Sequence, residues 1–260
     1  MAARCLCLAA PTVLDEGGIS ECISGKVVLI TGAGGSIGSE LCRQVARYGP
    51  SKIVLYELSE FALYTIEQEL SEKFSHIPLL RLVGDLKDLE HLRYVFGKYE
   101  PQIVFHAAAY KHVPRWRRRT HGLACGTTRW ERITQRLPRP RHKVERFVLI
   151  STDKAVNPTN VMGASKRAAE LVISHMAGEG HATKFMSVRF GNVLGSSGSV
   201  IPKFKEQIAK GGPVTVTHPE SNPLFHDYPG GRQVGGPGSG DRRNRAGSCS
   251  TSGLPTWLGT

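Results

Sequence analysis

The stretch KVVLITGAGGSIG, residues 26–38, joins an apolar run to a glycine-rich turn and then to a helix-like sequence. Its first part, VVLIT, is rich in β-branched residues, which is typical of a strand buried in a parallel sheet. After the glycines, apolar residues recur at Ile37, Leu41 and Val45, the spacing of one helix face. A glycine turn between a strand and a helix predicts the first β-α unit of a dinucleotide-binding sheet.

Strand-like and helix-like segments alternate along most of the remaining chain. Each apolar, β-branched run ends in turn residues, and most are followed by a segment with helical spacing. This alternation predicts an α/β fold, a Rossmann-like doubly wound parallel sheet whose strands all end along one ligand-binding edge. The further predicted strands are residues 52–57, 78–85, 102–109, 146–152 and 184–192.

The glycine turn contains the residue types that a dinucleotide pyrophosphate requires. Gly32 permits a tight turn, Gly35 lets the backbone approach the phosphates, and Gly38 lets the helix pack closely on the strand. The helix begins at Ser36 and Ile37, where backbone N–H groups and the positive end of the helix dipole face the phosphates. We therefore expect these residues to bind the cofactor.

Acidic and small residues at the ends of the next strands predict the other cofactor contacts. Glu57 ends the second strand, roughly twenty residues after the turn, where a carboxylate binds ribose hydroxyls and repels a 2′-phosphate. NAD is therefore expected in preference to NADP. Asp85, at the end of the third strand, suits the adenine amino group. The remaining contacts are expected from Leu86, Ala107, Ala108 and Ala109, the alanines leaving space beside the cofactor.

The run Ser-Thr-Asp-Lys at the end of the fifth predicted strand brings an acid and an amine together. Both are groups that can transfer protons, and a second amine, Lys166, follows on the next helix. Met162 lies four residues before Lys166 and cannot ionise. Proton transfer would therefore depend on Thr152, Asp153 and Lys154, although the same acid and amine can also form a plain surface ion pair.

Composition and charge narrow the classes of function. The chain has a net charge of +12, but residues 115–141 alone hold nine arginines and one glutamate, a net of +8. Nucleic-acid binding by that segment is an alternative, although the charge is too localised for us to favour it.

The six cysteines have no zinc-ligand spacing, so no metal is expected and a reducing compartment fits. No apolar run approaches the roughly 20 residues of a membrane span, and residues 1–24 are predicted to be a linker or leader.

Several long motifs together resemble the extended short-chain dehydrogenases. More narrowly, they resemble the CapD-type polysaccharide biosynthesis proteins, which are UDP-N-acetylglucosamine 4,6-dehydratases. Family members with methionine at the position of Met162 are usually long and membrane-anchored, with a catalytic domain in the cytoplasm. The resemblance also implies that intact relatives form oligomers. The motifs are TGAGGSIG (31–38), GDLKD (84–88), FHAAAYKHVP (105–114), STDKAVNPTNVMGASK (151–166), VRFGNVLGSSGSVIP (188–202) and GGPVTVTHPE (211–220).

This resemblance implies NAD-dependent dehydration of UDP-N-acetylglucosamine to a UDP-4-keto-6-deoxy sugar. It implies that Asp153 is the acid, that Lys154 is the base and that Thr152 contacts the C4 hydroxyl in place of the family's tyrosine. Lys166 would hold the nicotinamide ribose. The alternatives are an inactive NAD-binding remnant and a UDP-sugar 4-epimerase, the latter disfavoured by Met162. Contacts to the UDP-sugar are implied for Lys111, Asn192, Ser199, Val200 and Lys203.

Two segments interrupt the resemblance. Codons that specify residues 115–128, read two bases later, can spell LEAADPWPGVRNN, which matches the family's continuation at that point. Codons for residues 222–234, read one base later, can spell TRYFMTIPEAVRL, which again matches the family. We interpret both segments as out-of-frame translation. The predicted organisation is an NAD-binding domain at 25–192 with 115–141 out of frame, an incomplete substrate-binding region at 193–220, and an out-of-frame tail at 221–260.

Overall fold

The structure, a computed structural model, describes residues 15–109, 144–193, 200–215, 225–226 and 248–249. The arginine-rich segment 115–141, and with it the nucleic-acid alternative, lies outside these residues. The strands are β1 (Val27–Thr31), β2 (Lys52–Glu57), β3 (Leu79–Val83), β4 (Ile103–His106), β5 (Arg146–Thr152), β6 (Lys184–Phe190), β7 (Asn192–Val193), β8 (Phe225–His226) and β9 (Ser248–Cys249). The helices are α1 (Glu16–Ile23), α2 (Ser36–Ala46), α3 (Glu60–Lys73), α4 (Leu89–Tyr99), α5 (Val161–Gly178), α6 (Val200–Ala209) and a 3₁₀ turn, Asp153–Ala155.

The main sheet is parallel, with strand order β3-β2-β1-β4-β5-β6-β9 across the described residues. This confirms the predicted Rossmann-like architecture. The chain order reverses between β1 and β4, and ligands bind at such a switch point in open α/β sheets. In the register of this sheet, Thr31 lies opposite His106 and Ser151 lies opposite Arg189. The strand ends that carry the predicted site residues therefore share one edge.

The core lies on both faces of the sheet. On one face, side chains of α2 and α3 such as Leu41 and Leu63 pack with Ile30 of β1. On the opposite face, α4 and α5 pack through residues such as Phe96 and Ile173. Because the centre of the sheet is covered on both sides, the strands β1, β2, β4 and β5 are mostly apolar and buried, as is typical of parallel sheets.

Residues 16–23, which were predicted as part of a linker, form helix α1 instead. Asp15 caps the helix by accepting a hydrogen bond from the backbone N–H of Gly18 at 3.0 Å. Ile19, Cys22 and Ile23 are buried in the same core cluster as α2, because their three- and four-residue spacing places them on one helix face. Within the described ranges, neither α1 nor another helix has the length and apolar character needed to cross a bilayer.

Polar caps define where several helices begin. Ser59, Asp88 and Asn160 each accept a hydrogen bond from a backbone N–H in the first turn of α3, α4 and α5, respectively. Helix α2 is different, since it begins after Gly35 without a side-chain cap. Its positive end is thus presented by backbone alone at the switch point of the sheet.

Candidate active site

The glycine turn after β1 contains two close approaches that exclude any side chain. Gly32 has a φ angle of +70°, and a Cβ atom there would lie 2.6 Å from the backbone of Ala108. A Cβ atom on Gly38 would lie 1.8 Å from the carbonyl oxygen of Gly32. Together with Gly35 at the start of α2, these glycines form a backbone cradle that fits a pyrophosphate.

Glu57 ends β2 and ties that strand to the glycine turn. Its Oε2 accepts a hydrogen bond from the backbone N–H of Gly34 at 3.0 Å. Its Oε1 accepts from the backbone N–H groups of Leu58 and Ser59 at 2.8 and 3.1 Å. An ionised carboxylate has about four acceptor sites, so ribose hydroxyls can still donate to it. The negative charge is therefore fixed at the position where the sequence predicts ribose binding.

Asp85 and Leu86 follow β3 in two different environments. Asp85 Oδ1 accepts a hydrogen bond from the backbone N–H of Lys87 at 3.0 Å, and its carbonyl oxygen accepts one from the Tyr56 hydroxyl at 3.1 Å. Burial raises the pKa of Tyr56, so the hydroxyl stays protonated and remains a donor. Leu86 packs at the edge of the core cluster that contains Tyr56. Asp85 is thus held at the sheet edge, whereas Leu86 also contributes to packing.

The three alanines follow β4 directly beside the glycine turn. The backbone N–H of Ala107 donates to the carbonyl oxygen of Thr31 at 3.0 Å. Ala108 is the residue that contacts Gly32, and Ala109 is exposed. The small side chains of these alanines add little bulk beside the glycine turn, and their predicted role beside the cofactor stays a prediction.

A buried polar pair below the cradle was not predicted from the sequence. Thr31 Oγ1 and His106 Nδ1 are 2.7 Å apart, and both side chains are fully buried. Burial, reinforced by the positive charge of Lys166, lowers the pKa of His106 well below its ordinary value, so the imidazole is neutral at pH 7. The only signal in the sequence is a histidine that ends an otherwise apolar strand.

Thr152, Asp153 and Lys154 form a connected group at the end of β5. Thr152 starts the 3₁₀ turn, and its hydroxyl donates to Asp153 Oδ1 at 2.8 Å. Lys154 Nζ donates to the same oxygen at 2.9 Å. The side chains of Asp153 and Lys154 are 31% and 38% exposed, so a substrate can reach them from solvent. The three side chains that are predicted from the sequence to transfer protons are therefore joined through one carboxylate oxygen.

Helix α5 carries Lys166, which is hydrogen-bonded to β5 two residues before this group. Lys166 is 7% exposed, and its Nζ donates to the carbonyl oxygen of Ile150 at 2.9 Å. Burial lowers the pKa of Lys166 to about 8, against the opposing effect of Glu170. Met162 is partly buried one turn earlier on the helix and contributes no ionisable group. The close packing of α5 against Lys154 is permitted by Gly163, where a Cβ would lie 2.4 Å from the Lys154 carbonyl oxygen.

Glu170, one turn after Lys166, is a further buried residue that sequence reasoning missed. Its carboxylate is 3% exposed and accepts hydrogen bonds from Ser151 at 2.6 Å and from Arg167 at 3.2 Å. Arg189 adds two more, from Nε at 2.8 Å and from a terminal nitrogen at 2.7 Å. Burial alone would raise the pKa of Glu170, but the bonds from Arg189 and Ser151 outweigh it and hold the pKa below its usual value.

The predicted sugar-nucleotide contacts are only partly described. Lys111 and Ser199 lie outside the described residues. Asn192 is in β7, whose backbone pairs with β8. Val200 begins α6, and Lys203 is exposed on the same helix. The described contacts do not join these five residues into one site.

The parallel sheet, the glycine cradle at its switch point and the lysine-bearing helix α5 define a Rossmann-fold protein of the extended short-chain dehydrogenase class. The chain belongs to the polysaccharide biosynthesis protein family, whose family model matches residues 28–225. This assignment agrees with the resemblance expected from the motifs.

Individual relatives and a solved structure are similar over most of this chain. The capsular polysaccharide biosynthesis protein CapD of Staphylococcus aureus is 46% identical over 220 residues, which are 84% of this chain and 37% of that protein. The UDP-N-acetylglucosamine 4,6-dehydratase (inverting) of Campylobacter jejuni subsp. jejuni is 34% identical over 202 residues, 75% of this chain and 58% of that protein. The structure of Pen from Bacillus thuringiensis has a TM-score of 0.69 at 30% identity, covering 79% of this chain and 64% of that chain. The chain thus spans less than two thirds of each of these proteins.

Proposed function

We propose that this chain carries the catalytic core of an NAD-dependent dehydratase. Its substrate would be UDP-N-acetylglucosamine and its product a UDP-4-keto-6-deoxy sugar for surface polysaccharide or glycan biosynthesis. The proposal rests on the 2.9 Å hydrogen bond between Lys154 and Asp153 at the end of β5, beside buried Lys166. Similarity to CapD and to the Campylobacter dehydratase supports it.

The residues around the glycine turn fit NAD. The pyrophosphate would lie on the cradle made by Gly32, Gly35 and the start of α2, where a side chain would collide with backbone. Glu57 would accept hydrogen bonds from the adenosine ribose, and Lys166 would donate to the nicotinamide ribose. NAD, when bound, supplies a hydride acceptor for sugar C4 and returns the hydride to C6.

The protein's own groups would move the two protons of the dehydration. Transfer of the shared proton from Lys154 to Asp153 converts the ion pair into a neutral amine and a neutral acid. Exclusion of water by a bound sugar favours this neutral pair. Oxidation at C4 would release the C4 hydroxyl proton to solvent through Thr152. Lys154 would then take the C5 proton and Asp153 would protonate the C6 hydroxyl, which leaves as water, so the ion pair is restored. When the hydride returns to C6, Lys154 would protonate C5 and regain a proton from solvent, so the proton released at C4 is balanced by the one added at C5. Thr152 would orient the C4 hydroxyl, since Met162 offers no hydroxyl of its own.

The direct test is incubation of the purified chain with UDP-N-acetylglucosamine and NAD, followed by NMR of the sugar. We expect a 4-keto-6-deoxy product that carries deuterium at C5 when the reaction is run in D₂O. The Asp153→Asn variant keeps the shape of the acid but cannot protonate the leaving group, so it should lose at least ~100-fold in rate. Glu69→Gln, on the outer surface of α3, is the control and should remain active.

The same experiment separates the alternatives. Tight NAD binding without any sugar product would support the inactive remnant. Appearance of the C4 epimer, with no loss of water, would support a UDP-sugar 4-epimerase and exclude the dehydratase.

We also propose that residues 115–141 and 221–260 are translated out of frame. The excess of arginine in the first segment and the shifted codons that match the family in both segments support this interpretation. The coding DNA around residues 114, 142 and 220 is the test. Independent clones that all carry an uninterrupted frame through RWRRR would contradict it.

We propose a reducing, cytoplasmic setting, and the free thiols among the described residues are consistent with it. Cys22 and Cys42 are both free and buried. Burial raises the pKa of each thiol, which keeps it protonated and unreactive. Fractionation of cells that express the full-length protein would test the cytoplasmic location.

A further inference from the structure

The carboxylate of Glu170 joins three elements at the point where the reactive side chains begin. It accepts hydrogen bonds from Ser151 of β5, from Arg189 of β6 and from Arg167 of its own helix α5. Ser151 and Arg189 lie directly opposite each other in the β5–β6 register. Glu170 therefore bridges two neighbouring strands at one register position and connects both to the helix.

The residues next in the chain are those that the proposed reaction uses. Thr152 follows Ser151 directly and starts the turn that carries Asp153 and Lys154. On the other strand, Asn192, a predicted contact to the UDP-sugar, follows three residues after Arg189. A second link runs from the same helix, because Lys166 donates to the carbonyl oxygen of Ile150. The last residues of β5 are thus held to α5 by two adjacent hydrogen bonds.

We propose that Glu170 is a positioning residue, an inference that rests on the proposed function. Glu170 holds the carboxyl ends of β5 and β6 to helix α5, so that Thr152, Asp153 and Lys154 stay aligned.

Burial and charge agree with this role. A buried carboxylate is costly unless its oxygens are fully hydrogen-bonded, and the four donors around Glu170 meet that need. The charged groups that act on it are Arg189 on β6 and Arg167 on α5, and it acts in turn on Lys166. Lys166 also interacts with His106 on β4. Glu170 raises the pKa of Lys166, opposing the effect of burial. Its charge therefore also favours the protonated form of the lysine.

The chain offers a closely matched control. Arg43 donates to Glu69 through Nε and a terminal nitrogen, both at 2.8 Å, which is the same two-bond geometry as Arg189 and Glu170. That pair joins α2 and α3 on the outside of the molecule, and the Glu69 side chain is 27% exposed. Glu69→Gln removes the same charge and the same type of bond without touching β5, β6 or α5.

The test compares Glu170→Gln, Ser151→Ala and Glu69→Gln in the full chain, with two readouts. Hydrogen exchange should become at least fivefold faster at amides of residues 150–155 and 189–191 in both site variants, while residues 27–31 and 52–57 are unchanged. The pKa of Lys166, measured by NMR of its side chain, should fall by roughly one unit in Glu170→Gln only. Glu69→Gln should change neither quantity.

Each outcome decides the proposal. The proposal would be overturned if the hydrogen-exchange rates of residues 150–155 and 189–191 were equal in all variants and the wild type. It would also be overturned if exchange became faster to the same extent over the whole sheet. If Glu170→Gln does not fold, Ser151→Ala decides, because it removes one bond and leaves Arg189 paired. Neither readout depends on turnover, so a wild-type chain that forms no product would refute the dehydratase while leaving Glu170 testable. In an active chain, Ser151→Ala should lower kcat with little change in KM.

Discussion

Replacing Gly38 with alanine tests the cradle most directly. The added Cβ would lie 1.8 Å from the carbonyl oxygen of Gly32 and 3.1 Å from the Cα of Ala33, all of it backbone. Since Cβ atoms do not approach other atoms closer than 3.0 Å, α2 must move by at least 3.0 − 1.8 = 1.2 Å. No side-chain rotation can relieve this contact. The shift would pull Leu41 and Val45 out of their packing on the sheet, so we expect a loss of about 3 kcal/mol in the free energy of unfolding.

The assay is urea unfolding followed by circular dichroism, together with NADH binding by fluorescence. Gly178→Ala is the matched control, because Gly178 ends α5 and a Cβ there meets nothing within 4 Å. Alanine at that position should be neutral or stabilise by about 0.5 kcal/mol. Gly38→Ala should be strongly destabilised and should bind NADH at least tenfold more weakly. An unfolding midpoint and NADH affinity equal to those of the wild type would refute the geometry of the cradle.

Two further predictions concern charged groups at the site. The pKa of Lys166 is lowered from 10.5 to about 8, so between those pH values the unfolded chain holds a proton that the folded chain has released. Stability should therefore rise with pH across that window, by about 3 kcal/mol at most, and Lys166→Met should abolish the rise in urea unfolding at pH 7.5–10. Glu57→Gln removes the charge at the end of β2, so the preference for NADH over NADPH should fall at least ~10-fold, about 1.4 kcal/mol, in a fluorescence titration. The exposed Glu60→Gln is its control, and an unchanged preference in Glu57→Gln would show that the carboxylate does not select the cofactor.

Much of the architecture could be predicted from the chain because its signals are local. The run at residues 26–31 is observed as β1, Val27–Thr31, and the predicted strand at 146–152 is observed as β5 with the same bounds. The strand predicted at 102–109 ends earlier, at His106, because its pairing with β5 stops at Leu149 and small alanines follow. Helix α1 was missed because it is only two turns long and has two glycines in its first turn, a composition that is typical of a linker. Its buried face is recognised only once the core against which it packs is known.

Part of the candidate site could also be predicted from the sequence, and part could not. Thr152, Asp153 and Lys154 are adjacent in sequence, so their residue types alone predicted a group that the fold then assembled.

Glu170 could not be predicted in this way, because its partners Ser151 and Arg189 are each 19 residues away and meet only through the β5–β6 register. The ionisation of Lys166 and His106 is likewise set by burial rather than by neighbours in the chain. Sequence motifs can therefore predict candidate proton-transfer groups, whereas the charge states of Lys166 and His106 depend on packing across α5, β4 and β5. A change to that packing can thus alter the chemistry of the site while every motif residue remains in place.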